Sequence, residues 1–320
     1  MRVTSSTIVL ASLAVAGCDV SPFAGLGSGS TFGTVEAACG SAAPTGDPDA
    51  SQAQIDGLWR LNCHRRLAGL PEASLDPLLN RSAQAHADYM LATGEYGHEQ
   101  SDPGHPSWTG TTAEDRAAAA GYALDTSGDQ LAEVIGFRSE GADAVFAVDN
   151  WINTVYHREP LLVPQLGAIG FGEAGIYDVM ELVAPWSDPE VELAIYPARG
   201  QSDVPTTFDS DTETPDPVPD AGLVGPPITV SVLADGWTAD HDPYALTVVS
   251  ASLVTTAGAP VPVTVRTPAE DPWLMRMVAL IPLEPLTGST TYEVEVTLAV
   301  AGVERVESWA FATRAAEDAE

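Results

Sequence analysis

The stretch SLDPLLNRSAQAHADYMLATGEYGH, residues 74–98, decides how the first half of this chain folds. Ser74-Leu75-Asp76-Pro77 has the composition of a helix start, with a capping side chain ahead of a proline suited to the first turn. Leu78, Leu79, Ala83, Ala87, Met90 and Leu91 then recur on one helical face, and Gly94 ends the run. Upstream, Ile55, Leu58, Trp59 and Leu61 begin another helical pattern that runs to Leu67, with Gly69 as its stop. Downstream, Gly97, Pro103, Gly104 and Pro106 make the stretch from Glu95 to Gly110 a loop. A short helix from Ala113 to Gly121, an apolar segment from Leu131 to Phe137 and a helix from Ala144 to Tyr156 follow. After Pro164 the texture turns strand-like, at residues 168–172, 177–184 and 191–196. Helices first and strands later predict an α+β domain layered around a mixed sheet.

The ends of the chain read differently. Met1 and Arg2 precede an apolar run from Ile8 to Gly17, too short to span a bilayer, which is followed by Cys18. Val15-Ala16-Gly17-Cys18 has the form of a lipobox, which predicts removal of residues 1–17 and a lipid on Cys18. The chain is then expected to be exported and held at the membrane, in the periplasm or on the cell surface. Cys39 and Cys63 are left as a candidate disulfide in an oxidising compartment, the alternative being two free thiols. Residues 18–50, rich in Gly, Ser, Ala, Thr and Pro, read as a tether to a first domain at 51–197. Residues 198–227 alternate prolines with Asp209, Asp211, Glu213, Asp216 and Asp220 and read as an extended acidic linker. Beyond it, six short alternating or β-branched runs between residues 228 and 314 predict an all-β sandwich, and residues 315–320 a tail.

With 45 acidic and 13 basic residues, the net charge is −32. Such a surface repels phosphate backbones, so nucleic acid is excluded as a partner.

Ordered, spaced matches along the first domain carry a resemblance. They include Leu61-Asn62, Arg66-Leu67-Ala68-Gly69-Leu70-Pro71, Ala83-Gln84-Ala85-His86-Ala87-Asp88-Tyr89-Met90 and Tyr96-Gly97-His98. Ala120-Gly121-Tyr122, Ala132-Glu133, Trp151-Ile152, Tyr156-His157-Arg158 and Ile169-Gly170-Phe171-Gly172 complete the series. Together these resemble the CAP superfamily, also called SCP-like or of the cysteine-rich secretory protein type, whose fold is an α-β-α sandwich. The C-terminal strands, with Thr290-Thr291-Tyr292-Glu293-Val294 and Trp309-Ala310-Phe311, resemble bacterial Ig-like domains of surface proteins.

The CAP resemblance implies a cleft of two histidines and one or two acids, in some members with a divalent metal. Carried over, it points to His98, Glu133 and His157 as the binding cleft, with Glu99, Asp102 and His105 near the place of the second acid. His98 and His157, with a carboxylate and water, would form a zinc half-site with one open position. His86 reads as a packing histidine and His64 as helix surface. No Gly-x-Ser-x-Gly elbow and no His-Glu-x-x-His motif is present, so turnover is not the first expectation. The expected function is a lipid-anchored envelope protein whose cleft binds a small ligand, an envelope component or a metal. The alternatives are a metal-dependent hydrolase of peptide or cell-wall material, and a structural or adhesive surface protein.

Overall fold

The computed structural model describes residues 33–46, 48–125, 129–139, 141–185, 193–232, 246–300 and 303–315. The leader, Cys18 and most of the expected tether lie outside the described residues, as does His241, which the sequence between Asp240 and Asp242 marks as turn surface. Among the described residues, no helix is long and apolar enough to cross a membrane.

Helix α1 (Val35–Cys39) packs on α2 (Gln52–Leu67), and a disulfide joins Cys39 to Cys63. The two cysteines are 24 residues apart, so closing that loop in the unfolded chain is worth about 3 kcal/mol on the chain-entropy model. Ser51 and Gln54 close a reciprocal capping box at the start of α2. Helix α3 (Pro77–Thr93) starts on Asp76, whose carboxylate accepts from the amides of Leu78 and Leu79, and ends at Gly94 with φ 74°. Helix α4 (Ala113–Ala120) is capped by Thr112 and Asp115.

A four-stranded sheet carries the first domain. Strand β1 (Ser74–Leu75) pairs in parallel with β3 (Ala168–Ala174), which is antiparallel to β4 (Tyr177–Ala184), itself antiparallel to β2 (Gln130–Phe137). Side chains alternate across β2. Ile135 packs with Ala83, Ala87 and Met90 of α3, whereas Val134 packs with Trp151 and Ile152 of α5 (Ala144–Ile152). Thus α3 and α4 cover one face and α2 and α5 the other, giving the α-β-α arrangement.

The second half is a pair of antiparallel sheets around one core, and it takes a strand from the first half. Residues 193–196, expected as the last strand of the first domain, form β5 (Leu193–Tyr196). This strand pairs with β8 (Ile228–Val232) and so extends the C-terminal sheet. Its alternation explains the placement: Ala194 and Tyr196 face the first domain's core, while Leu193 and Ile195 face the sandwich core.

The expected linker is corrected as well. Residues 198–227 lie folded against both halves, with Val204, Phe208, Val218 and Val224 buried. A small hairpin, β6 (Phe208–Asp209) with β7 (Leu223–Val224), stiffens the segment. The acidic residues do not repel one another into solvent, because they accept hydrogen bonds: Asp203 from the Val35 amide at 2.7 Å, Asp216 from the Val218 amide at 2.8 Å. Glu213 is 2% exposed and accepts from the amides of Val155 and Tyr156 at 2.8 and 2.7 Å.

Strands β9 (Leu246–Thr255), β10 (Val263–Arg266), β11 (Met277–Pro282), β12 (Thr291–Val300) and β13 (Val303–Ala312) complete the sandwich. The sheet order is β10-β11-β8-β5 against β13-β12-β9. Strand β11 is buried on both faces, with Val278 and Leu280 toward the sandwich core and Met277, Ala279 and Ile281 toward Val155, Phe208 and Val224. A sheet covered on both sides reads as a continuous apolar run, which is how Met277–Pro282 appears.

Candidate functional site

Glu133 sits at the centre of a polar cluster on the α3/α4 face of the sheet. The alternation of β2 points it the same way as Ile135, toward the two helices rather than toward α5. Its side chain is 3% exposed and both oxygens are engaged. One accepts from His98 Nδ1 at 2.9 Å, the other from Arg116 Nη2 at 2.5 Å. Arg116, fully buried on α4, also donates from Nη1 to the carbonyls of His98 and Thr111 at 3.0 and 3.2 Å. One guanidinium therefore fixes both the carboxylate and the backbone that carries His98. Burial alone would raise the Glu133 carboxyl, but the His98 hydrogen bond and the Arg116 charge outweigh it and hold it below the usual range.

The loop bearing His98 is tied down from α3. His86 is fully buried, its Nε2 donating to the Gly97 carbonyl at 2.9 Å while Nδ1 lies 3.3 Å from Gln100 Nε2. Burial lowers its pKa to about 4, so it is the neutral tautomer that these bonds require. Gln100 accepts in turn from the Thr109 amide at 2.8 Å. His86 is thus the packing histidine anticipated, and it also positions the loop.

A second carboxylate lies directly across the ladder: Glu181 of β4 is the cross-strand partner of Glu133. It is fully buried, accepts from Ser82 Oγ at 2.7 Å on one oxygen, and leaves Oε2 without a partner. Burial, reinforced by the Glu133 charge, pushes its pKa up to about 8, against the opposing effect of the Ser82 bond. Two adjacent acids are driven apart in this way, one anionic and one protonated.

The result is a surface imidazole on a rigid base. The His98 side chain is 58% exposed, its Nδ1 is committed to Glu133, and Nε2 is left for a ligand. Neutral, that nitrogen accepts a hydrogen bond; protonated, it donates one.

The remaining expected site residues are placed elsewhere. Glu99 is exposed. Asp102 accepts from the Gly104 amide at 2.9 Å, and His105 Nδ1 from the Ser107 amide at 3.2 Å, with its ring edge-on to Tyr89 at 5.7 Å. Both serve to shape the loop. His157 is the main correction. It stands at the start of α6 (Arg158–Leu161), in the α2/α5 layer, with Nδ1 3.2 Å from both Glu213 and Thr154. His98 and His157 therefore lie on opposite faces of the sheet and share no cleft. The reason is the packing of the second half against this corner. Tyr156 donates to Asp271 at 2.6 Å, and Arg158 donates to the Pro227 carbonyl at 2.7 Å. The carboxylate of Glu159 accepts from the Arg276 amide at 2.7 Å. His64 is corrected too: it is buried, bridging Tyr196 at 2.9 Å and Asp149 at 2.7 Å.

A zinc ion does not fit these residues. Among the described residues no three His, Cys, Asp or Glu side chains gather as a metal-binding group. At Glu133 the place of a cation is already held by Arg116, whose charge would repel one. Sequence reasoning also missed Arg116 and Glu181. Glu181 carried a signal, an acid that with Asp178 interrupts the buried apolar residues of β4, whereas Arg116 sat unmarked in a charged, alanine-rich helix.

Residues 58–179 match the model of the cysteine-rich secretory protein family, CAP. No curated protein matches the chain significantly. Among solved structures, it is similar to one described as an extracellular protein containing a SCP domain from Bacillus anthracis str. Ames. The two are 20% identical over 44% of this chain and 45% of that one, with a TM-score of 0.36, so this chain spans less than half of that protein's length.

Proposed function

We propose that this chain, whose residues 58–179 match the CAP family model, is an exported envelope protein, lipid-anchored through Cys18, whose His98 site binds a small polar ligand without turning it over. The observation that carries the reading is the exposed His98 ring held at Nδ1 by a buried, Arg116-paired Glu133. A base oriented by a carboxylate is two thirds of a nucleophilic triad, but no Ser or Cys side chain hydrogen-bonds His98 among the described residues. Hydrolysis through a metal-bound water is disfavoured, because the Arg116 charge opposes a cation at Glu133. What remains is directional hydrogen bonding through Nε2 to a hydroxyl, amide or carboxylate.

Support for export comes from the leader-like residues 1–17 and from the Cys39–Cys63 bridge, which persists in oxidising compartments. Cell fractionation tests the anchor: the wild-type chain is expected in the membrane fraction and Cys18→Ser in the soluble fraction. An unchanged distribution would remove the anchor from the reading.

Muramyl dipeptide, a soluble fragment of cell-wall material with hydroxyls, amides and a carboxylate, is a suitable probe of the site. Titrating it into labelled protein should shift the His98 ring nitrogens saturably. Glu133→Gln, which loses a charge-assisted bond, should weaken binding about tenfold, and His98→Ala should abolish it. Shifts that leave the His98 ring untouched would refute this site as the binding point.

A further inference from the structure

The two halves of the chain enclose a second cleft, on the face of the sheet opposite His98. Ala132, the neighbour of Glu133 on β2, points into it, together with Leu182 and Ala184 of β4. Its volume is about 190 Å³. For comparison, an engineered apolar cavity of ~150 Å³ takes up benzene. Pro160, Val163 and Leu166 form a wall from the first half. From the second half, Trp273 and Met275 stand at the mouth, 63% and 61% exposed.

The polar lining is unusual. Arg276 is 9% exposed, and its side chain makes one hydrogen bond among the described residues, from Nη2 to Gln130 at 2.7 Å. No carboxylate lies within ion-pair distance of it among those residues, unlike the buried Arg60, which has two, and Arg116, which has one. The carboxylate of Glu159 also lines the cleft; it accepts from the amides of Met275 and Arg276, and its charge acts on the guanidinium from beyond ion-pair distance. A buried guanidinium always keeps its proton and favours a planar anion that can accept two of its N–H groups.

We propose that this cleft binds an aliphatic chain ending in a carboxylate, the chemistry of a fatty acid, with the head on Arg276 and the chain along Pro160, Val163, Leu166 and Leu182. Clefts between domains with apolar walls and few polar groups are the usual setting for such ligands. The inference is independent of the His98 site, which lies across the sheet.

Calorimetric titration of the Cys18→Ser full chain with octanoate and with 1-octanol tests it. Octanoate should bind saturably, with affinity rising about fourfold for each added methylene until the cleft is filled. Arg276→Gln should weaken octanoate at least tenfold and leave 1-octanol unchanged. Ala132→Leu, which fills the cleft beside Leu182 rather than beside Gln130, should abolish both. Absence of saturable octanoate binding, or equal affinity in Arg276→Gln, would overturn the proposal. Sedimentation with phosphatidylglycerol vesicles separates the sources of the chain. Octanoate binding without vesicle binding supports a free fatty acid, whereas vesicle binding lost together with octanoate binding in Ala132→Leu would put an esterified chain, which has no carboxylate, in the cleft and overturn the proposal. Vesicle binding that depends on Trp273 without any octanoate binding would replace the cleft by a membrane-docking face and refute the proposal.

Discussion

Gly170→Ala is expected to cost about 4 kcal/mol or more, a large share of the ~5–15 kcal/mol that holds an ordinary domain folded. The reason is distance. Strand β3 runs directly beneath α3, and a Cβ on Gly170 would stand 2.0 Å from the backbone carbon of Leu79 and 2.4 Å from the amide nitrogen of Asn80. Carbon atoms in contact prefer roughly 3.5–4.0 Å. The obstacle is helix backbone, which cannot rotate aside as a side chain can. Gly172 meets α3 one turn further on, at 2.3 Å from the Gln84 amide nitrogen, so the helix cannot pivot away at one end either. It would have to lift off along its length, loosening Ala83, Ala87 and Met90 and breaking the 3.0 Å bond from the Phe171 amide to Asn80. The same helix carries His86 and Ser82, so the site would be lost with the fold. Thermal unfolding checks this; a melting temperature within a few degrees of wild type would show that α3 yields more readily than its contacts imply.

That pair of glycines also shows what could be read from the sequence and why. Ile169-Gly170-Phe171-Gly172 was visible as strand and as a family match, while the helix sitting on it was a matter of tertiary contact. Local signals read well: the Asp76 cap, the Pro77 start and the Gly94 stop of α3 all act within a few residues. Pairing of His98 with Glu133 came only through the resemblance, because 35 positions separate them and no periodicity links the two. His157 was misplaced for a physical reason. Its motif matches the family, but its neighbours here are Glu213 and a β-sandwich, and the partners of Glu213 are mainly backbone amides, which leave no mark in a sequence. The segment around Glu213 misled in the same way. Its prolines and acids have the composition of a spacer, and the buried positions Val204, Phe208, Val218 and Val224 are too widely spaced to announce a core.

These contacts make the chain more unified than its composition suggests. Strand β5 gives one face to each core, the 198–227 strap caps the corner at His157, and Arg158, fully buried, reaches the Pro227 carbonyl and lies 4.9 Å from the Tyr196 ring centre. An arginine buried with no carboxylate at ion-pair distance among the described residues is held by the carbonyls and the aromatic face around it, and here they come from both halves. The two halves should therefore unfold together rather than as beads on a string.

Glu181→Gln is expected to make the protein more stable at pH 8.5 while changing little at pH 4.5, the reverse of what removing a paired carboxylate does. Burial first, and the Glu133 charge after it, raise the folded-state pKa of Glu181 from 4.5 to about 8. For an acid whose pKa is raised on folding, stability is fully present below the unfolded value and is lost as pH climbs through the folded one. At ~1.4 kcal/mol per pH unit the loss is on the order of 5 kcal/mol across that window. The groups facing Glu181 are Ser82 from α3, Glu133 from β2, and Arg116 and Glu114 from α4. Only the Ser82 hydroxyl and Arg116 favour ionisation, and Arg116 is already bonded to Glu133. Among the other groups that shape the wild-type profile are two that titrate nearby: Asp178, raised to about 7 by burial, acts in the same direction, and His86, lowered to about 4, takes stability away as pH falls below 6.5. Because both remain in the variant, the difference between denaturation profiles of wild type and Glu181→Gln isolates the one carboxyl. Parallel profiles from pH 4.5 to 8.5 would mean that Glu181 ionises freely in the folded protein. In that event Glu133 would face a second negative charge, and the single anionic carboxylate that orients His98 would no longer be the feature on which ligand binding turns.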